Sequence, residues 1–405
     1  MLKLLPAILL LVSSYLIAQP SSPAFQDRLT AALFAAAIGD AMGAPIEGWH
    51  PDKIQERFPD WDFTTFLPPT KQKDLEKDTG KGNGRFTDDL LAIEAIINIY
   101  NTHQDHLDAY DYAELFVREI GKKKVYIPER KEDRYPLDRP LFWPERYMYH
   151  RLVWNQVNPR KAGVGNWLGN GFSAFTLPTG AVNAGDPWRA YDETASYGIA
   201  HTESYTLEAG AVNAAAFAAA FAPDATLESV IATARKVARD GTKLALEDAL
   251  KATDHEDDFE TFRKKVRQVY LNYAQLPPAL LAQKDPEVPH MDKSGTNVGR
   301  PSRTGTIENL PVIYAALKYG QGDYMKTLRT IMYYGRDCES IAAVATGLLA
   351  AIHGSSILPR SLMQASVTAN QRDFSKIAAE FLQTIKIIHQ KDKERLMNRE
   401  ILLNE

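Results

Sequence analysis

From Gln26 onward, apolar residues recur at steps of three and four: Leu29, Leu33 and Ala36, then Leu90, Ile93, Ile97 and Tyr100, and again Ile341, Val344, Leu348 and Ile352. That spacing places each set on one face of a 3.6-residue helix. Residues 209–222 are mostly alanine, the best helix former. Further helical patterns run near residues 227–239, 259–273, 307–318, 324–334 and 374–389, and strict alternation of β-branched residues is scarce. The prediction is an all-α fold, a compact multi-helix bundle. With 405 residues, 45% of them hydrophobic, the chain can bury a large core.

Lys3 precedes an almost wholly apolar run over residues 4–12, followed by Ser13, Ser14 and a weakly apolar stretch to Ala18. A basic start and a short apolar run predict a secretory signal peptide over residues 1–18, with a secreted or periplasmic product. An uncleaved anchor is the alternative, but a spanning helix needs roughly 20 apolar residues. The expected domain covers residues 24–390, with a tail over 391–405. Net charge is −4, which gives no reason to expect nucleic acid or an anionic membrane as partner. Cys338 is the only cysteine, so no intramolecular disulfide can form. Flanked by acids, it reads as a packing residue rather than a nucleophile. Residues 67–84, 122–151 and 283–305 break the helical pattern. The first leads straight into an acidic motif and is either a lid or a solvated loop.

Asp40 falls on the apolar stripe of Leu29, Leu33 and Ala36. A carboxylate there must be paired, hydrogen-bonded or close to a metal; near a helix end, it could simply accept backbone amides. Glu47 follows past a Gly/Pro break. Thr87-Asp88-Asp89 opens a long helix and reads either as a cap with favourable first-turn acids or as a set of hard oxygen ligands suited to magnesium. Asp337, Glu339 and Ser340 repeat that chemistry at a second helix start. Acids that converge repel unless cations neutralise them. Gly169-Asn170-Gly171 alone reads as a turn, His201 alone as a structural histidine, and the tryptophans as core or surface aromatics.

Taken in order, G-D-A-M-G-A-P-I-E-G, F-T-D-D-L, G-N-G, A-H-T-E-S and G-R-D-C-E-S-I-A-A-V-A-T-G-L-L-A-A-I-H-G resemble the ADP-ribosylglycohydrolase family over roughly residues 24–360. The resemblance implies an all-α bundle with a metal cleft holding two magnesium ions, with manganese as a substitute. It implies removal of ADP-ribose from a protein or a small molecule. Thr87, Asp88, Asp89, Asp337, Glu339 and Ser340 would be the metal ligands, and Glu47, Asp88 and Asp89 the catalytic carboxylates. Asp40, Gly169, Asn170, Gly171 and His201 would face the substrate. Two departures stand out. The second metal triplet, Asp-x-Asp-Thr in the family, has Glu339 and Ser340, and Phe172-Ser173-Ala174-Phe175 follows the G-N-G turn in place of a small residue and Ala-Met-Arg. The expected chemistry is metal-assisted hydrolysis at a ribose anomeric carbon through an oxocarbenium-like transition state. The alternatives are a metal-binding pseudoenzyme and a secreted nucleoside or riboside N-glycosidase.

Overall fold

A computed structural model describes residues 23–138, 143–273 and 306–403. The expected signal peptide and the 283–305 loop lie outside these residues. Among them the chain is helical almost throughout; the described strands are one short hairpin, Val125–Ile127 against Glu132–Arg134.

Two helices form the centre. Phe25–Gly43 and Cys338–His353 lie against each other along their length. Their contacts run in opposite senses. Arg28 Nε donates to the Ala351 carbonyl at 2.6 Å, Thr346 Oγ1 donates to the Ala35 carbonyl at 2.9 Å, and Gly43 meets Glu339. The pair is therefore antiparallel. The spacing predicted one apolar face on each helix, but residues 31–46 and 337–352 are buried on every side. Alanines and glycines on the remaining faces let further helices close around the pair, as ridges pack into grooves. Contact is tightest at two glycines. A Cβ on Gly39 would lie 2.7 Å from the Ala342 backbone, and one on Gly43 would lie 2.5 Å from the Glu339 nitrogen.

Ser204–Ala220 is likewise buried from residue 209 to its end and packs on Pro187–Gly198. The periodic segments at 259–273 and 324–334 are the helices Phe259–Tyr273 and Tyr324–Tyr334. The 227–239 segment ends at Val237, and Asp240–Ala252 follows as a separate helix. The last helix, Phe374–Leu403, continues through residue 390, and its final turns are exposed. Phe25–Ile46 and Cys338–Ile357 are long and apolar enough to span a membrane, but they are 94% and 78% buried inside the fold as its core pair.

Candidate active site

The central pair ends its close approach where the acids lie. Asp40 is wholly buried one turn from the end of the first helix. Its carboxylate accepts the Thr87 backbone N–H at 2.9 and 3.1 Å. This remote carboxylate, not the Thr87 hydroxyl, therefore caps Asp88–His103; Thr87 occupies the N-cap position without a side-chain cap bond. Asp40 thus accepts a backbone amide, as its place near a helix end allowed, and thereby holds the first acidic motif against the core. Asp89 is buried with Ser340 as hydrogen-bond partner, whereas Asp88, at the first helical position, is half-buried.

Asp337 is the N-cap residue of Cys338–His353, again without a side-chain cap bond. Its Oδ2 accepts the Asn170 and Asn309 amides, each at 2.9 Å. Ser173 Oγ donates at 2.7 Å to both the carbonyl and Oδ1 of Asn170, and Asn213 ties Ser173 into the core. The glycine-flanked turn therefore reaches the acidic centre through Asn170.

Glu47 arrives on a short strap after the 3₁₀ turn Ala44–Ile46. The strap is fixed by its backbone: Gly48 N–H donates to the Arg336 carbonyl, and Arg336 N–H donates to Trp49 at 3.3 Å. Gly335 makes this possible. Its φ is +75°, and a Cβ there would meet the Trp49 carbonyl at 2.4 Å. As a result, one oxygen from each of Glu47, Asp337 and Glu339 lies within 4.8 Å of the others.

Such crowding shows in the acidities. Burial, then Glu47, pushes the Asp337 carboxyl up to about 7, against the Asn170 and Asn309 bonds. Burial, then Asp40, raises Asp89 well above the usual carboxylate range. Burial followed by Glu47 and Asp337 does the same to Glu339. Burial likewise raises the Cys338 thiol, with Glu339 and Asp337 adding to it, so it is not a thiolate nucleophile.

Lys81 tempers the repulsion. Its ammonium pairs with Glu47 and lies 3.6 Å from Glu339. It comes from the loop before Thr87, so that stretch contributes a charge to the site. Burial raises Glu129 to about 7; the Lys81 charge opposes the shift, and the Asp40 and Glu47 charges add to it. Lys81, Glu129 and Asn309 were not singled out from the sequence. Lys81 lies just before the Thr87 motif and Glu129 and Asn309 lie further from either motif, but none has a residue type that alone carries a signal.

His201 is placed differently from the acids. Its ring is fully buried among Tyr112, Phe116, Phe172 and Phe175. Nδ1 meets the Tyr112 hydroxyl at 2.8 Å, and Nε2 lies 3.0 Å from Glu145 without hydrogen-bond geometry. The aromatic residues after the G-N-G turn thus enclose His201. Gly169 is buried and Gly171 half-buried beside Asn170.

Fold and site together define an all-helical protein whose helix starts carry an oxygen-donor centre. The chain belongs to the ADP-ribosylglycohydrolase family, whose model matches residues 21–390. It is a glycohydrolase. Among solved structures it is similar to an ADP-ribosylglycohydrolase-related protein complex, with 16% identity, a TM-score of 0.55, and coverage of 89% of this chain and 99% of that one. At that identity the likeness is one of fold. No curated protein matches the chain.

Proposed function

We propose that this chain is a magnesium-dependent hydrolase that cleaves the glycosidic bond at the anomeric carbon of ADP-ribose, or of a related riboside, free or attached to protein. The observation that carries this reading is the convergence of Glu47, Asp337 and Glu339 within 4.8 Å. The donor set fits a hard cation. All of its ligand atoms are oxygens, and the buried Asp89 Oδ2 and Glu339 Oε2 have no hydrogen-bond partner among the described residues. Thr87, Asp88, Asp89, Asp337, Glu339 and Ser340 would hold one or two magnesium ions, with manganese as a substitute. Bound there, the metal would supply charge to fix ribose hydroxyls and acidify a water.

The chain's own groups do the remaining work. Asn170 and Asn309 occupy Asp337 Oδ2 and so leave Oδ1 for a ligand. Asp40 holds the Thr87 turn in register. Glu47 lies on the strap at the edge of the cluster, 13% exposed, which suits it to pass a proton to the leaving group or take one from water. Lys81 sits where a divalent cation would compete for Glu47 and Glu339.

The test is a panel of ADP-ribosyl-arginine, ADP-ribosyl-serine, O-acetyl-ADP-ribose and nucleosides, with magnesium and with chelator. Turnover of an ADP-ribosyl compound that chelator abolishes is expected, and Asp88→Ala and Asp337→Ala should remove it while the fold persists. Activity within about tenfold of wild type, roughly 1.4 kcal/mol of barrier, would reduce those residues to helix caps. Turnover of nucleosides alone would mark a riboside N-glycosidase, and no turnover with metal bound would mark a pseudoenzyme. Export is also proposed, on Lys3 and the apolar run 4–12. Mass spectrometry of the native protein should find the first residues removed.

A further inference from the structure

Behind the Glu47 strap lies a pocket of opposite charge. Gly48, Trp49, His50, Pro51, Arg263, Arg267, Tyr334 and Arg336 line it. It is a shallow pocket of about 310 Å³ that opens to solvent. A ligand would therefore sit in its mouth. Three guanidiniums converge here from two parts of the chain. Arg267 and Arg336 both pair with Glu308, which is wholly buried and also accepts the Tyr334 hydroxyl at 2.8 Å. Both also lie over the Tyr270 ring. Arg263 pairs with Glu260, and Lys53 Nζ lies 3.8 Å above the Trp49 ring at the rim. Two carboxylates neighbour the lining: Glu260, which holds Arg263 through two hydrogen bonds, and exposed Asp52, 3.3 Å from His50.

Arg336 is the unusual member. Its φ is +61°, a conformation that costs a side-chain-bearing residue about 1–2 kcal/mol and a glycine almost nothing. Its side chain is 11% exposed. Nη2 is buried 3.1 Å from Glu308 yet makes no hydrogen bond among the described residues. The strap bonds through the Arg336 backbone account for that φ, and Nε donates to Glu308 at 3.1 Å, but neither gives the buried Nη2 a hydrogen-bond partner. Buried N–H groups in a cationic pocket suit a tetrahedral oxyanion, which a guanidinium fork binds well. The pocket also adjoins the acidic centre at two points, since Arg336 precedes Asp337 and Gly48 follows Glu47.

We propose that this pocket is an anion subsite for a phosphate group, taken either as free phosphate or as the phosphate of a phosphorylated riboside. The second source rests on the glycohydrolase reading above; the first does not. The test is calorimetry on the full chain in chelator, so that no bound metal captures the anion. Inorganic phosphate, ribose 5-phosphate and ribose are titrated into wild type, Arg336→Gly and Arg263→Gln. Wild type should bind both phosphates and not ribose, and each variant should bind them at least about tenfold more weakly. Arg336→Gly removes the strain at φ +61°, so its weaker binding cannot be ascribed to a strained fold, and circular dichroism checks that. Arg263→Gln serves if that variant fails to fold. Tighter binding of ribose 5-phosphate than of phosphate assigns the subsite to substrate, and equal binding assigns it to free phosphate. Absence of phosphate binding to wild type, or unchanged binding in folded variants, overturns the proposal. A chain that binds phosphate but hydrolyses nothing would keep this subsite and lose the function proposed above.

Discussion

Lys81 and Glu339 show how single residues set the acidic centre. Lys81 is 19% exposed and its partner Glu47 13%, so their pairing lies between the surface and buried limits. Lys81→Met leaves the carboxylates to repel one another, and about 1–2 kcal/mol of stability should be lost in chelator. Saturating magnesium should restore most of it, because the ion takes over the neutralising role. A melting-temperature deficit equal with and without magnesium would show that Lys81 acts only through packing. Glu339 carries its carboxylate about 1.5 Å further from the backbone than aspartate would. Magnesium holds oxygens near roughly 2.0–2.1 Å and tolerates misplacement poorly. Glu339→Asp should therefore bind magnesium at least as tightly as wild type, and Glu339→Gln more weakly through loss of a ligand charge. Calorimetric titration of both variants decides it, and three indistinguishable isotherms would remove Glu339 from the ligand set.

At the scale of elements, the site depends on how closely two helices approach. Gly43 faces the Glu339 backbone at a distance where no Cβ fits. Gly43→Ala must push Phe25–Gly43 away from the start of Cys338–His353, at a cost of about 1–3 kcal/mol. The same shift separates Glu47 from Asp337 and Glu339, which the strap and the helix start carry. The expected outcome is a folded variant whose melting temperature no longer rises with magnesium. Wild type in magnesium at 100 times Kd should gain about 2.7 kcal/mol. If the variant keeps the full magnesium response, the close approach serves core packing alone.

Across the whole molecule, His106 joins three distant parts of the chain. Nδ1 meets Glu193 at 2.7 Å and Nε2 meets Asp392 at 3.0 Å, which ties the last helix to Pro187–Gly198. Burial alone would lower the His106 pKa, but the bond to Glu193, its charge and the bond to Asp392 outweigh it, and the net shift is upward. A raised folded-state pKa stabilises fully below the unfolded value, near roughly 6.5, and the benefit is lost as pH rises through the folded value. Thermal melts of wild type and His106→Gln should therefore differ most at pH about 6 and converge toward pH about 9. A constant difference across that range would show that the imidazole charge contributes nothing.

Periodicity was enough to find Phe259–Tyr273 and Tyr324–Tyr334, because a 3.6-residue pattern is a local consequence of one face being apolar. Asp40 stood out as a carboxylate on an apolar helical stripe, Glu47 as a carboxylate past a Gly/Pro break, and the Thr87 and Asp337 turns as matching acid and hydroxyl chemistry at two helix starts, with the family resemblance joining them into one set. Other features needed the folded chain. That residues 31–43 are buried all round follows from neighbours that close over the alanines. The capping of Asp88–His103 by Asp40, the Asn309 bond to Asp337 and the reach of Lys81 to Glu47 join residues far apart in sequence, each of a type common anywhere on a protein. The enclosure of His201 by Phe172 and Phe175, and the gathering of Arg263, Arg267 and Arg336 around Glu308, arise in the same way. Local sequence determines which segments coil and which residues carry chemistry. Long-range packing decides which of them meet, because distance between side chains is a property of the assembled core.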